Sequence, residues 1–266
     1  MKFFIEPFRL IWRHRWILKQ TVATDLRIRY AGLALGLSWM FFYPLLFLGV
    51  YALVYNYIFR VGSESIGTGM AYVLFIFCGL VPFLGFAESV TGGTSSIITN
   101  SKLIRNTLFP VELLPVKAVL VAQGTQVVGT VLLLVALGIA GRLTPWALLL
   151  PVLWLLQLML TIGIAWILSS SCVLLRDLQH AVSLMLLMLM MLSPIAYTAD
   201  MVPPLLGRLL WLNPLYPIIV SYQDALFKGQ CPHVGVLALL LGLACVLFCG
   251  GLAYFHRLKR VFVENV

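Results

Sequence analysis

The residues of this sequence best suited to bind a charged ligand stand at the start of its first long apolar run. Arg27, Arg29 and Tyr30 occur together there. A guanidinium group can hold a phosphate through two parallel hydrogen bonds, so this cluster suits an anionic headgroup. Cationic residues at the edge of an apolar run also anchor a membrane span against anionic lipids, with no ligand involved. The pattern is compatible with both roles.

No other set of residues has the spacing of a catalytic or metal site. The five cysteines and four histidines are scattered along the chain. There is no pair of carboxylates, no nucleophile elbow and no His-Glu metal motif. The Gly-x4-Gly-Lys-Ser/Thr loop that holds ATP phosphates is also missing. We therefore predict no enzyme active site, no metal site and no cofactor in this chain.

Three further charged residues stand at the ends of apolar runs. Glu88 follows the second run, where an interfacial or hydrogen-bonded role is favoured over a proton relay. Arg176 and Asp177 separate the fourth run from the fifth. Adjacent residues on a helix do not face each other. We expect this pair to fix a short cytoplasmic turn or to contact a second protein.

Composition identifies the class of protein. Hydrophobic residues make up 62% of the chain and charged residues 10%, whereas about 25% of the residues of a soluble domain are charged. The apolar runs use up nearly all of the 266 residues, which leaves no room for a separate soluble catalytic domain. We predict an all-α integral membrane protein with a single domain, residues 1–266. Membrane topology explains the net charge of +9 better than nucleic-acid binding does.

Six charge-free runs are each longer than the roughly 20 residues that a transmembrane helix needs. They are Tyr30–Phe59, Ser65–Ala87, Ala118–Gly141, Leu143–Leu175, Leu178–Ala199 and Gly229–His256. Six spans place both termini on one side of the membrane. Fourteen Lys and Arg residues fall on that side and four on the other. Because cytoplasmic loops carry the excess of Lys and Arg, both termini are predicted to be cytoplasmic.

The N-terminal residues 1–29 are predicted to form an amphipathic helix in the cytoplasmic interface. Phe8, Trp12 and Trp16 recur every four residues and therefore share one helix face. Tryptophans on such a helix lie at the depth of the lipid headgroups. Pro7 suits the first turn of the helix.

The cytoplasmic loop between the second and third runs is predicted to contain a short helix. It extends from Ser96 to Asn106, with Ser95 or Ser96 as its cap, and ends before Pro110. A short helix of this kind either docks into a groove of a partner protein or rests on lipid, and the pattern is typical of both.

The segment after the fifth run, from Thr198 to Tyr222, contains four prolines among apolar residues. Only 15 charge-free residues separate Arg208 from Asp224, which is too short to cross a bilayer. We predict external re-entrant or interfacial helices over residues 198–228. Irregular backbone at membrane depth must be buried in protein or line a wet cavity, so a pathway is expected here.

Several blocks of the sequence resemble a known family. They are Tyr30-Ala-Gly-Leu-Ala-Leu-Gly-Leu-Ser-Trp39 with Pro44-Leu-Leu, Leu103-Ile-Arg-Asn-Thr-Leu-Phe-Pro110, Arg176-Asp-Leu178, Ser193-Pro-Ile-Ala-Tyr197 and Asn213-Pro-Leu215. In this order they are similar to the ABC-2 type permease subunit of exporters of O-antigen, capsular polysaccharide or teichoic acid. The resemblance covers nearly the whole chain.

The resemblance implies a homodimer in the bacterial inner membrane that exports a lipid-linked glycan. A separate ATPase dimer would bind ATP and magnesium and drive the transport. Residues 95–116 would hold the coupling helix that receives the ATPase stroke, and Arg27, Arg29 and Tyr30 would meet the substrate headgroup. The residues expected to contact the ATPase are Ser96, Asn100, Lys102, Leu103, Arg105, Asn106 and Phe109.

Aromatic residues are candidates to line the glycan pathway, because sugar rings stack on aromatic planes. The candidates are Phe41, Phe42, Tyr43, Tyr51, Tyr55, Tyr197, Trp211 and Tyr216. Packing between helices and the aromatic belt explain many of these residues without a pathway. Two alternatives to a polysaccharide permease are a permease for a drug or lipid, and a membrane assembly or anchoring protein with no transport role.

Overall fold

The computed structural model describes residues 2–31, 35–54, 62–63, 67–100, 109–197, 207 and 210–263. Within these residues the structure is helical, apart from two short antiparallel strands, β1 (Gly62–Ser63) and β2 (Gly67–Thr68). The helices in chain order are α1 (Lys2–Arg13), α2 (Arg15–Tyr30), α3 (Trp39–Leu53), α4 (Met70–Thr99), α5 (Leu113–Ile139), α6 (Leu150–Leu174), α7 (Leu178–Leu192), α8 (Tyr216–Gln223) and α9 (Val234–Val263). The prediction of an all-helical protein is confirmed for this part of the chain.

Four helices of the described residues are long and apolar enough to cross a membrane: α4, α5, α9, and α6 with the 3-10 turn Pro145–Leu149 before it. The 30 residues of α4 extend about 45 Å, against a hydrocarbon thickness of about 30 Å. The apolar helices α3 and α7 have 15 residues each, or about 22 Å. The chain is therefore a multi-pass membrane protein.

Helix α4 is the centre of the bundle. It packs against α5 and α6 along its length, and 20 of its 30 residues are buried. A helix that is apolar on all sides is stable only when other elements surround it. The end of the bundle where α4 ends and α5 begins is called the basal end, and it also holds α2 and the last turns of α9.

Helices α6 and α9 approach each other until their backbones touch. A Cβ added to Gly251 of α9 would lie 2.3 Å from the carbonyl oxygen of Gly163 in α6. Only glycine leaves room for such an approach, which is a common way to pack membrane helices. Around this contact, the rings of Trp166 and Phe248 pack at a tilted angle of 39°, with centroids 5.4 Å apart.

The structure differs from the sequence predictions for the N-terminal region in three respects. The amphipathic helix is broken at His14 into α1 and α2, and Pro7 lies inside α1 rather than in its first turn. The first apolar run, Tyr30–Phe59, is not one helix, because α2 ends at Tyr30 and α3 begins only at Trp39. Trp12 and Trp16 are exposed, and the interfacial position of these helices stays a prediction.

The predicted helix start at Ser95 or Ser96 is also wrong. Helix α4 continues to Thr99, so Ser95 and Ser96 do not cap a new helix; the Ser96 hydroxyl donates to the Gly93 carbonyl one turn back, at 2.7 Å. The charge-free run Leu178–Ala199 is predicted to break at Ser193-Pro194, and helix α7 ends at Leu192, directly before that break. It ends there because the residue before Pro194 avoids helical backbone angles, and Ser193 is extended with ψ 142°.

The segment before α9 contains a short buried helix. All but one of the residues of α8 are buried, and the helix continues into a π-helical turn, Asp224–Lys228. Gly229 ends this unit with φ 64°, a left-handed conformation that glycine adopts readily. The Gln223 amide donates to the Pro194 carbonyl at 2.9 Å, which attaches α8 to the turn after α7.

Candidate functional site: a groove with a charged basal end

A groove of about 960 Å³ runs along the side of the bundle. Its floor is formed by α4 and α5, and its rims by α2, α3 and α7. Its walls are largely apolar, with Leu84, Val121, Leu187 and Met190 among the lining residues. This volume is in the range of sites for sizeable small molecules. An amphiphile with an apolar tail fits such a groove.

The basal end of the groove carries two ion pairs that attach α2 to its floor. Lys117 of α5 is 2.7 Å from the carboxylate of Asp25 and donates to the side-chain oxygen of Asn100 at 3.3 Å. Arg29, one turn after Asp25 on α2, forms an ion pair with Glu88 of α4. The two pairs have opposite polarity, so sliding α2 by one turn would bring like charges together.

Lys117 is the most buried of these four charged residues, with its side chain 6% exposed. A buried ammonium group must keep its partners, because an unpaired charge in a low-dielectric site is costly. Asp25 and Asn100 supply them from two other helices. Glu88 is paired with Arg29, and its interfacial or hydrogen-bonded role stays a prediction.

Amide side chains connect the floor of the groove to the interior of the bundle. Gln126 lines the groove and exchanges two hydrogen bonds of 3.0 Å with Gln157 of α6. Gln157 also donates to the Pro82 carbonyl of α4 at 2.9 Å. Gln123 bonds Ser89 of α4 and accepts a hydrogen bond from Trp154 of α6 at 2.7 Å. Hydrogen bonds of this kind hold membrane helices in one register.

The predicted headgroup residues are only partly brought together. Arg29 lines the groove, whereas Arg27 is exposed and does not line it. The side chain of Tyr30 lies outside the described set.

Of the predicted ATPase contacts, Ser96 and Asn100 lie in and at the end of α4, and both line the groove. Phe109 packs against the apolar cluster at the basal end. Lys102, Leu103, Arg105 and Asn106 lie outside the described residues. Arg176 and Asp177 are exposed in the turn between α6 and α7.

The predicted pathway aromatics are divided between different surroundings. Tyr43 lines the groove; Phe41 and Phe42 are about half exposed on α3 but do not line it. Tyr51 stacks on Phe47 with centroids 6.4 Å apart. At the opposite end from the basal end, Trp211 and Tyr216 are 5.2 Å apart, and the Tyr197 hydroxyl donates to the Leu192 carbonyl. Tyr55 lies outside the described residues.

Sequence reasoning missed Asp25, Lys117 and the three glutamines. Gln123 and Gln126 are three residues apart in an apolar run, so they share a helix face. Polar residues inside a span are expensive and usually have partners. That rule would have pointed to them, but not to Gln157 as the partner.

Comparison with known proteins agrees with this architecture. The ABC-2 type transporter family matches the chain over residues 18–227. The chain belongs to this family. Every residue named above as lining the groove of this permease falls within the matched range.

Two groups of curated relatives extend the match. The O-antigen export system permease protein RfbA of Myxococcus xanthus is 31% identical over 266 residues, which is 98% of this chain and 100% of the relative. Two proteins of the same name from Klebsiella pneumoniae are each 30% identical over 243 residues, or 90% of this chain and 91% of theirs. This ABC-2 permease is thus similar to these proteins over most of its length.

Proposed function

We propose that this chain is the permease subunit of an ABC exporter that moves a lipid-linked polysaccharide, of the O-antigen or capsule type, across the bacterial cytoplasmic membrane. The names of the relatives support a polysaccharide cargo, and their match over 90% or more of the chain supports the same role for the whole subunit. ATP and magnesium bind to a separate ATPase subunit, the partner implied by the family.

The observation that carries this proposal is the groove with apolar walls and a charged basal end. A lipid-linked glycan has a hydrocarbon tail, a phosphate group and a polar sugar chain. The tail suits the apolar walls, and the phosphate suits the end that holds Arg29 and Lys117. Thr91 and Ser95 also line the groove and offer hydroxyls to sugars.

The substrate headgroup binds at Arg27, Arg29 and Tyr30 in this proposal. Arg29 is engaged by Glu88, so an arriving phosphate must displace that carboxylate. Arginine forms bidentate bonds with phosphate as readily as with carboxylate, which makes the exchange feasible. Arg27 is two residues before Arg29 on the same helix. It is exposed and does not line the groove, so it can receive the phosphate first.

The basal end faces the cytoplasm in this proposal, because most of the cations of the sequence belong to it. The permease has six spans: the four long helices and the shorter α3 and α7. Helix α8 and the turn Asp224–Lys228 form the external re-entrant element. Their burial among α4, α6 and α9 supports this assignment, since irregular backbone at membrane depth must be covered by protein.

The permease works as a homodimer whose seam encloses the pathway. The groove is open to one side, and two of the helices at its rims, α3 and α7, are poorly covered. Helix α7 buries only Val182 and Leu186, and α3 buries only Pro44. A second copy facing this groove would convert it into an enclosed pathway. Tyr43 lies at that seam, and the external aromatics Tyr197, Trp211 and Tyr216 lie at its exit.

ATP binding moves the connection between α4 and α5, which docks on the ATPase. Ser96, Asn100 and Phe109 flank this connection, and Lys102, Leu103, Arg105 and Asn106 lie within it. Arg176 and Asp177 are exposed on a second turn that can meet the same partner. In this way a stroke on the cytoplasmic side changes the spacing of the helices around the groove.

Mass spectrometry of lipid-linked glycans tests the proposal. Cells without this chain are compared with cells that carry it, after checking that the ATPase is still expressed. We expect an undelivered lipid-linked glycan to accumulate inside cells without the chain, which would also identify the cargo. No accumulation, with a drug or lipid retained instead, would overturn the polysaccharide assignment.

A further inference from the structure

Glu112 occupies the last position before α5 and is almost buried. Its carboxylate accepts a hydrogen bond from Lys259 Nζ of α9 at 2.6 Å, and His256 Nε2 lies 3.9 Å from the same oxygen. The side chain is 9% exposed. A carboxylate at the N-terminus of a helix is also favoured by the helix dipole. Glu112 is therefore fixed to the last turns of α9, which are 147 residues away in sequence.

The backbone of the same residue is attached to a different helix. The carbonyl of Glu112 accepts a hydrogen bond from the indole of Trp166 in α6 at 2.8 Å. Trp166 is fully buried, and Val111, Leu113 and Leu114 beside Glu112 belong to the same apolar cluster. Glu112 thus contacts α6 through its carbonyl and α9 through its carboxylate.

Helices α6 and α9 behave as one unit where their backbones meet at Gly163 and Gly251. Phe8 of α1 packs on Phe248 of α9 at 5.0 Å between ring centroids. Any displacement of Glu112 relative to the bundle must therefore move α9, or break the contact with Lys259. The other side of the connection between α4 and α5 has a different route, from Asn100 through Lys117 to Asp25 on α2.

We propose that Glu112 is a positioning residue that transmits displacement of the α4–α5 connection to α9 through its ion pair with Lys259. This inference rests on the proposed function, since the ATPase would displace the connection. In this proposal, each side of the α4–α5 connection moves a different set of helices. The Asn100 side acts on α2 and the basal end of the groove, and the Glu112 side acts on the α6–α9 pair.

The first test needs no ATPase. Backbone hydrogen exchange is measured for residues 111–116 and 252–259 in the purified permease. Glu112→Gln and Lys259→Met each raise exchange in both segments about fivefold, the size of effect expected for one partly buried pair, and the double variant raises it no further. Lys259→Arg keeps the original exchange. As a control, Lys228→Gln breaks the pair with Asp224 at the other end and leaves both segments unchanged.

The second test uses the complex with its ATPase. Glu112→Gln and Lys259→Met lower the amount of glycan exported per ATP hydrolysed about fivefold, whereas Lys259→Arg and Lys228→Gln do not. The inference would be overturned if a single variant changed exchange in only one segment, or if the effects of the two variants multiplied in the double variant. Unchanged glycan export per ATP would also overturn it. Failure of the intact chain to bind an ATPase would instead overturn the proposed function, and the exchange experiment would still decide whether Glu112 and α9 are coupled.

Discussion

Replacing Gly163 by alanine tests the close contact of α6 and α9. A Cβ at this position would lie 2.3 Å from the carbonyl carbon and oxygen of Leu247 and 2.6 Å from the amide nitrogen of Phe248. All three are backbone atoms, which cannot rotate away as a side chain can. The substitution Gly163→Ala must therefore push the two helices apart.

The loss of stability expected for Gly163→Ala follows from these distances. Ordinary contact begins at 3.4 Å, so the helices must separate by about 1 Å, which weakens the dispersion contacts around Trp166 and Phe248. Overpacking of this kind costs about 1–3 kcal/mol, and the better helix propensity of alanine returns up to about 1 kcal/mol. We expect a net loss of stability of about 1–2 kcal/mol and a decrease in Tm of roughly 2–8 °C.

The assay is thermal unfolding in detergent, followed with a dye that becomes fluorescent when it reacts with thiols. Cys172 of α6 and Cys249 of α9 are both buried, so they react only as these helices separate. Gly250→Ala is the matched control, because a Cβ there meets nothing within 4 Å. We expect the control to unfold at the original temperature or slightly above it. A Gly163→Ala variant as stable as the control would refute the reasoning.

Three further predictions concern the groove. Asp25→Asn should lower the unfolding free energy by about 1–3 kcal/mol in a denaturation assay, because it leaves the buried Lys117 ammonium without its carboxylate. Lys117→Met should lower it less, since water can hydrate the unpaired Asp25. Equal losses for the two variants would contradict this prediction. Gln157→Leu should cost about 0.6–2 kcal/mol in the same assay, because Gln126 loses its two hydrogen bonds with Gln157. No loss would mean that water replaces them. The double variant Arg27→Gln and Arg29→Gln should reduce export roughly tenfold, because the contacts with phosphate are lost, while the amount of permease in the membrane stays the same. Unreduced export would show that these arginines do not bind the headgroup.

The spanning helices could be predicted from the sequence because they depend on composition over some twenty residues. Each of the runs from Ser65–Ala87 onward contains most of one helix, from α4 to α7 and α9. The errors occur at boundaries that local packing decides. Ser95 and Ser96 have the residue type of a cap, yet the helix continues because Ile97 and Ser96 are buried against its neighbours, which favours further helical turns over a break there.

The pairs that build the basal end could not be predicted. Glu112 and Lys259 are 147 positions apart, and both could be explained separately as charges at the ends of spans. The same is true of Asp25 and Lys117. Composition tells which residues lie near the headgroups, but only the packing of the helices decides which of them meet. Arg29 illustrates the consequence, since its type suits phosphate and its position gives it Glu88 as a partner.

Reconstituted transport tests the central claim most directly. The permease and its ATPase are incorporated into vesicles together with the lipid-linked glycan purified from the host cell, and glycan that becomes accessible on the opposite face is measured with and without ATP. We expect transfer that requires ATP and is abolished when either subunit is omitted. Transfer that proceeds equally without ATP, or a complete assembly that hydrolyses ATP without moving glycan, would contradict it.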